Sequence, residues 1–202
     1  MAINLSKGQK INLSKSTPAG LGEIHVNLNW NSRPMKQGLF AGLFGSNNGI
    51  DLDLGCLYEL KDGTKSAVQA LGNAFGSYIN SPFITLDGDD RTGTSVAGEN
   101  LRINGNYVSQ IKRILVYTFI YEGVANWKQA DAVVTIKYPG AEDIIVKMDT
   151  YNNQNKMCAL ALFENENDET FSVQKIVQFY EGHELMDRAF NWGLKWKPGK
   201  KD

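Results

Sequence analysis

The feature that most constrains the fold is a run of β-forming residues in the middle of the chain, residues 114–121, with the sequence ILVYTFIY. Isoleucine, valine and aromatic residues favour strands, and a nearly continuous apolar run is typical of a strand covered on both faces. We therefore predict a central, fully buried β-strand. The 202 residues of the chain are sufficient to build a core around it.

Shorter strands are predicted on both sides of this run. Ile24, Val26, Leu28 and Trp30 alternate with polar residues, as expected of a half-buried strand, and residues 50–54 alternate in the same way. Turn residues separate further apolar runs, and one short helix is predicted at residues 184–190. Many short strands indicate an all-β fold, an antiparallel β-sandwich, in a single domain spanning residues 1–202. The further strands are expected at 132–138, 143–148, 157–163 and 171–180.

A short repeat opens the chain. The sequence INLSK occurs at residues 3–7 and again at residues 11–15, with Gly8 between the two copies. Two alternating runs around a glycine are typical of a β-hairpin. We therefore expect the two copies to pair with each other.

The bulk properties exclude several classes of protein. Lys and Arg number 21 against 22 Asp and Glu, so the net charge gives no reason to expect a nucleic-acid partner. The first ten residues lack the apolar core of a signal peptide, and no apolar run approaches the roughly 18 residues that span a bilayer. Cys56 and Cys158 lie in apolar runs and are interpreted as buried thiols in a reducing compartment. These features predict a soluble, intracellular protein.

Two carboxylates in a predicted strand indicate a cation site. Asp51 and Asp53 alternate with Ile50, Leu52 and Leu54, so both aspartates face the same way. Their spacing along a strand is about 7 Å, twice the rise per residue. Such a pair is repulsive alone, and a shared cation would convert the repulsion into attraction.

An acidic, glycine-containing loop at residues 87–100 supplies a second group of oxygen donors. Calcium takes about six to eight oxygens from carboxylates, carbonyls and water, whereas zinc is disfavoured because no Cys or His lies in the cluster. Magnesium stays open but usually keeps water or phosphate ligands. Glu122, at the end of the central run, is either a reserve ligand or a solvated strand end. The predicted calcium ligands are Asp51, Asp53, Asp87, Gly88, Asp89, Asp90, Thr92, Glu99 and Glu122.

Several of these segments resemble the TerD/TerA tellurium-resistance and stress-response family. Residues 51–54 are similar to that family's Asp-Leu-Asp-Leu segment, and residues 88–93 resemble its Gly-Asp-Asn-Arg-Thr-Gly box. The start of the chain, residues 3–8 and 28–30, is also similar to the family's start. Residues 182–188 and 192–196 are similar to the end of the TerA branch.

The resemblance implies a calcium-binding β-sandwich in a bacterial cytoplasmic protein of the tellurite-resistance system. The family's ligands carry over best to Asp51, Asp53, Asp89 and Asp90. One stretch departs from the pattern, because residues 94–100 contain one carboxylate where the family has a densely acidic run. We therefore expect one well-formed calcium site rather than two.

Three hypotheses of function follow from the sequence. The leading hypothesis is a non-enzymatic calcium-binding stress-response protein that works with other proteins of the tellurite-resistance system. A second is an assembly or membrane-surface component that uses the apolar loop at residues 39–44, Trp192, Trp196 and the basic tail at residues 195–201. The weakest is a calcium-assisted hydrolase, since no phosphate loop, nucleophile elbow or zinc motif is present. His25 is expected at the surface, and His183 at the start of the short helix.

Overall fold

The computed structural model describes residues 2–15, 20–31, 50–87, 98–122, 126–152 and 154–199. Within these ranges, thirteen strands and two short α-helices are defined. The strands are β1 (Ala2–Asn4), β2 (Lys10–Asn12), β3 (Glu23–Asn29), β4 (Asp51–Leu60), β5 (Lys65–Gln69), β6 (Gly76–Ser77), β7 (Ile84–Leu86), β8 (Glu99–Asn104), β9 (Ile111–Glu122), β10 (Val133–Lys137), β11 (Asp143–Lys147), β12 (Met157–Glu166) and β13 (Thr170–Tyr180). The helices are α1 (Trp127–Ala130) and α2 (His183–Ala189).

The described strands form two sheets that pack face to face. One is seven-stranded, in the order β1-β11-β10-β3-β8-β7-β6, and the other is six-stranded, in the order β2-β13-β12-β9-β4-β5. Neighbouring strands are antiparallel except for the parallel pair of β1 and β11. The predicted all-β sandwich with one short C-terminal helix is confirmed.

The central strand lies where the sequence placed it. Strand β9 runs through the middle of the six-stranded sheet, between β12 and β4. Ile114 and Val116 pack in the core between the sheets, while Leu115 and Tyr117 belong to a second apolar cluster on the outer face of the same sheet. Both faces are therefore covered, which is why this run has no polar alternation.

The repeated INLSK segments do not form the expected hairpin. The first copy contains β1, which pairs with β11 of the seven-stranded sheet, and the second contains β2, which pairs with β13 of the six-stranded sheet. Leu5 and Leu13, equivalent residues of the two copies, are both buried in the common core. The repeat therefore reflects two equivalent edge positions in a sandwich, and the hairpin prediction is wrong.

The chain after α2 folds back on the outer face of the six-stranded sheet. The Asp187 carboxylate accepts hydrogen bonds from Gly193 N at 2.7 Å, Leu194 N at 2.9 Å and Trp196 Nε1 at 3.1 Å. Trp192 donates from Nε1 to the Tyr58 carbonyl at 3.0 Å and is 1% exposed. The proposal that Trp192 serves as an anchor for a partner is therefore wrong, because the chain itself buries this side chain.

The remaining predictions concern the helices, the two cysteines, membrane-spanning segments and the number of domains. Helix α2 lies within one residue of its predicted bounds, whereas the one-turn helix α1 was not predicted. Cys56 and Cys158 are both free and buried, as expected. Among the described residues, no helix is long and apolar enough to cross a membrane. The assignment of residues 1–202 to one domain stays a prediction.

Candidate metal site

The two aspartates of the predicted metal site, Asp51 and Asp53, lie in the first half of β4. This part of the strand extends beyond its neighbour β5. Strand β5 pairs with β4 only from Gly55 to Glu59, so residues 51–54 project past the end of β5. Despite this position, Asp51 is 8% exposed and Asp53 is 0% exposed. Two buried carboxylates at one strand end offer oxygen atoms of the kind that calcium binds, so this stretch is a candidate for ion binding.

Asp53 faces away from the main core. Its neighbours Leu52 and Leu54 pack between the sheets, as strand alternation requires. Burial raises the pKa of the Tyr117 phenol well above its usual range, and the negative charge of Asp53 adds to this shift. Asp53 therefore lies close to Tyr117, on the outer face of the six-stranded sheet.

A third buried carboxylate reaches this region from the other sheet. Glu99, the first residue of β8, is 2% exposed, and its Oε2 accepts a hydrogen bond from Leu54 N at 2.5 Å. The peptide N–H of Leu54 lies beyond the end of β5, and the Glu99 carboxylate takes the place of a strand partner there. The structure thus places the Glu99 carboxylate next to Leu54, the residue that follows Asp53.

The acidic loop begins and ends at the same place. Asp87 N donates to the Asn100 carbonyl at 2.9 Å, which closes the neck of the loop. Gly98 has a φ of +63°, and a Cβ there would lie 2.1 Å from the Leu28 carbonyl oxygen, so only glycine fits. Four predicted ligands, Gly88, Asp89, Asp90 and Thr92, lie outside the described residues.

Two other predicted ligands have different surroundings. Asp87 is exposed at the neck of the loop, and its Oδ1 forms an ion pair with Arg102 Nε at 3.1 Å. Its charge is thus already balanced on the surface of the seven-stranded sheet. Glu122 is the register partner of Asp51 across β4 and β9, at an irregularity in the pairing. The backbone of Glu122 thus lies at the same strand end as Asp51.

The donor chemistry of the buried group suits a hard cation. Asp51, Asp53 and Glu99 offer carboxylate oxygens, which calcium and magnesium prefer, and the segments 51–54 and 87–100 contain no histidine or cysteine. Within the part of the chain that the structure describes, no group of three or more His, Cys, Asp or Glu is arranged to hold a metal ion. A complete coordination shell would therefore need further ligands, for which the sequence offers residues 88–97.

A polar network on the same outer face was not predicted. Tyr117 donates from its hydroxyl to Gln69 Oε1 at 2.6 Å, and His183 Nε2 lies 3.0 Å from the same oxygen. The His183 ring also packs against Phe119 and Trp196, with ring centroids 5.2 and 4.7 Å apart. Burial lowers the pKa of His183 to about 4, so this imidazole is neutral at pH 7.

His183 also lines a cavity of about 690 Å³ between the Leu71 turn, the start of α2 and the C-terminal segment. Sequence patterns do not reveal this arrangement, because Gln69, Tyr117 and His183 are far apart in the chain and none belongs to a motif. The two thiols take no part in it. Burial raises the pKa of both Cys56 and Cys158, so neither is a reactive thiolate at neutral pH.

Two named proteins are similar to this chain in sequence. The chain is 46% identical over 199 residues to the tellurium resistance protein TerA of an Alcaligenes species, which covers 98% of this chain and 58% of that protein. It is 36% identical over 109 residues to the tellurium resistance protein TerZ of Serratia marcescens, which covers 52% of this chain and 51% of that protein. The chain thus spans little more than half the length of either relative.

Solved structures share the architecture. A crystal structure of a protein of unknown function superimposes with a TM-score of 0.59 at 13% identity, over 83% of this chain and 95% of that one. A homologue of the telluride resistance protein TerD from Streptomyces coelicolor does so with a TM-score of 0.53 at 16% identity, again over 83% and 95%. The family model of the TerD domain matches residues 1–163. This chain belongs to the TerD domain family.

Proposed function

We propose that this protein binds calcium at the buried carboxylates of β4 and β8 and acts, without catalysing a reaction, in tellurium resistance. The observation that supports the proposal is the burial of Asp51, Asp53 and Glu99 near one end of β4, where the Glu99 carboxylate accepts a hydrogen bond from Leu54 N. The names of the TerA and TerZ relatives support the physiological role.

Asp51, Asp53 and Glu99 already interact with other groups of the protein, and a bound cation would add to the stabilisation of their buried charge. Burying a carboxylate is unfavourable because the charged form loses its hydration, and like charges close together raise that penalty. Asp51, Asp53 and Glu99 are all at most 8% exposed. A divalent cation would offset both the lost hydration of the carboxylates and the repulsion between them. Asp89 and Asp90, which the chain connects to Glu99, are the proposed source of additional ligands.

Calcium is preferred to other metals for chemical reasons. Zinc sites use Cys or His, and the segments 51–54 and 87–100 contain neither residue type. Magnesium demands near-octahedral geometry and retains water, whereas calcium tolerates an irregular shell built from carboxylates and loop carbonyls. Bound calcium would neutralise the carboxylates and join β4 to the acidic loop. Its role here is structural, with the ion linking elements of the two sheets.

Titration calorimetry tests the proposal. We expect calcium to bind the wild-type protein with measurable heat, and Asp53→Asn to abolish it. Asp143→Asn is a matched control, because Asp143 is a strand aspartate whose Oδ2 is ion-paired with Lys137 at 3.6 Å, away from the site. Equal heats for wild type and Asp53→Asn, or none for either, would reject calcium binding at Asp53.

The partners and the cellular location that we propose are those implied by the resemblance to the family. We infer that the protein acts in the cytoplasm with other proteins of the tellurite-resistance system. The alternative, an assembly component at the membrane surface, relies on the apolar loop at residues 39–44 and on Lys200 and Lys201, all outside the described residues. Lys195 and Lys197 are exposed and could contribute charge to such a contact. No observation favours the hydrolase alternative.

A further inference from the structure

A second site lies at the edge of the sandwich, where the chain crosses from β1 in one sheet to β2 in the other. A cavity of about 250 Å³ there is lined by Lys7, Lys147 and Lys175, together with Asp149, Asn4 and Ser6. We propose that this cavity binds a small oxyanion of the phosphate class. The site uses none of the residues of the proposed calcium site.

The walls of the cavity are held by backbone hydrogen bonds to both sheets. Leu5 N donates to the Ile145 carbonyl of β11 at 3.1 Å, which fixes the crossover segment to the seven-stranded sheet. Gly8 N donates to the Lys175 carbonyl at 2.9 Å, and Lys175 N donates to the Gln9 carbonyl at 3.0 Å, which fixes it to β13. The lysine-bearing segments are thus parts of one rigid frame.

Lys175 is the buried member of the group. Its side chain is 2% exposed, and its Nζ forms an ion pair with Asp149 Oδ2 at 2.6 Å. The hydrogen bond from Lys175 holds the pKa of Asp149 below its usual range, and the charge of Lys7 also contributes. Lys7 is therefore close enough to act on the same carboxylate.

The charge and size of the cavity define the ligand. Among the described residues that line it, three lysines face one aspartate, which leaves a formal charge of +2. Organic ligands of drug size need pockets of about 300–1,000 Å³, so a cavity of about 250 Å³ suits a smaller group. Lysine ammonium groups bind phosphate as point charges. The Ser6 hydroxyl and the Asn4 amide add neutral hydrogen-bond donors to this wall.

Phosphate titration at constant ionic strength tests the site, with protein freed of divalent cations by dialysis so that the outcome is independent of calcium. We expect Lys7→Ala and Lys147→Ala each to weaken phosphate binding roughly tenfold, because each removes one charge-assisted contact. Both lysines are exposed, so these variants should fold. Lys137→Ala is the control: it removes an exposed lysine from the same sheet and should change binding less than about twofold.

The Asp149→Asn variant tests whether the cavity binds an anion or whether Lys175 and Asp149 form only a structural ion pair. If the cavity binds an anion, removal of this competing carboxylate should tighten phosphate binding several-fold. Because oxyanions of tellurium share this chemistry, tellurite is titrated in parallel to identify which anion the site prefers. Binding of either anion with the stated lysine dependence supports the proposal. No binding of either, or equal loss in Lys7→Ala and Lys137→Ala, overturns it.

Discussion

The Glu99 carboxylate of one sheet accepts a hydrogen bond from the backbone N–H of Leu54 in the other sheet, at 2.5 Å. This contact joins the sheets immediately beyond the end of β5, beside the buried Asp53. It also fixes the end of the acidic loop, because Glu99 follows Gly98 at the loop neck. The packing of the two sheets and the end of the acidic loop therefore depend on the same side chain.

Truncation of Glu99 should destabilise the protein even without calcium. Glu99→Ala leaves the Leu54 N–H buried without its acceptor, which costs about 1–3 kcal/mol in the free energy of unfolding. Glu99→Gln keeps an acceptor oxygen and should cost less. Urea unfolding in the presence of chelator measures both variants. Equal stability of Glu99→Ala and wild type would show that this hydrogen bond contributes nothing.

His183 should make stability depend on pH. Its pKa is lowered from 6.5 to about 4 in the folded protein by burial. The unfolded chain therefore binds more protons between these values, so the free energy of unfolding falls as the pH drops from 6.5 towards 4. The shift corresponds to at most about 3 kcal/mol.

The matched variants for this prediction are His183→Phe and His25→Asn. His183→Phe keeps an aromatic ring against Phe119 and Trp196 but cannot be protonated, so its stability should fall less between pH 6.5 and 4 than that of wild type. His25→Asn removes the other histidine of the chain. An identical pH profile for wild type and His183→Phe would contradict the assigned burial of this imidazole.

Asp187 should hold the C-terminal segment on the sheet. The carboxylate is 3% exposed and accepts three hydrogen bonds, so Asp187→Ala leaves several donors without their acceptor. We expect a loss of about 2–4 kcal/mol in the free energy of unfolding and faster amide exchange at Gly193 and Leu194. Glu184→Ala, on the exposed side of the same helix, is the control. Unchanged exchange in Asp187→Ala would mean that packing of Trp192 alone holds the segment.

Local patterns in the sequence predicted those features of the fold that depend on local strand geometry. The apolar run at β9 and the alternation around Asp53 follow from the side-chain period of a strand, and the structure agrees with both. Pairing between distant segments does not leave such a pattern. The two INLSK copies have the same local sequence, yet they join different sheets because β11 and β13 offer edges on opposite layers.

The same distinction between local patterns and contacts of distant segments applies to the candidate site. Spacing identified Asp51 and Asp53, and composition identified Glu99 as a member of an acidic stretch. The contact of Glu99 with Leu54 depends on where β5 ends, which a single-sequence pattern does not specify. The ion pair of Lys175 with Asp149 and the hydrogen bond of Tyr117 to Gln69 also link residues distant in sequence, so neither residue pair was identified.

The most direct test of calcium binding is a crystal structure of the protein grown in millimolar calcium. If the protein binds calcium as proposed, an ion should lie beside the first residues of β4, with oxygen ligands at about 2.3–2.6 Å that include the Asp53 carboxylate and groups of the acidic loop. A well-ordered Asp53 and Glu99 with no ion between β4 and the loop would contradict it.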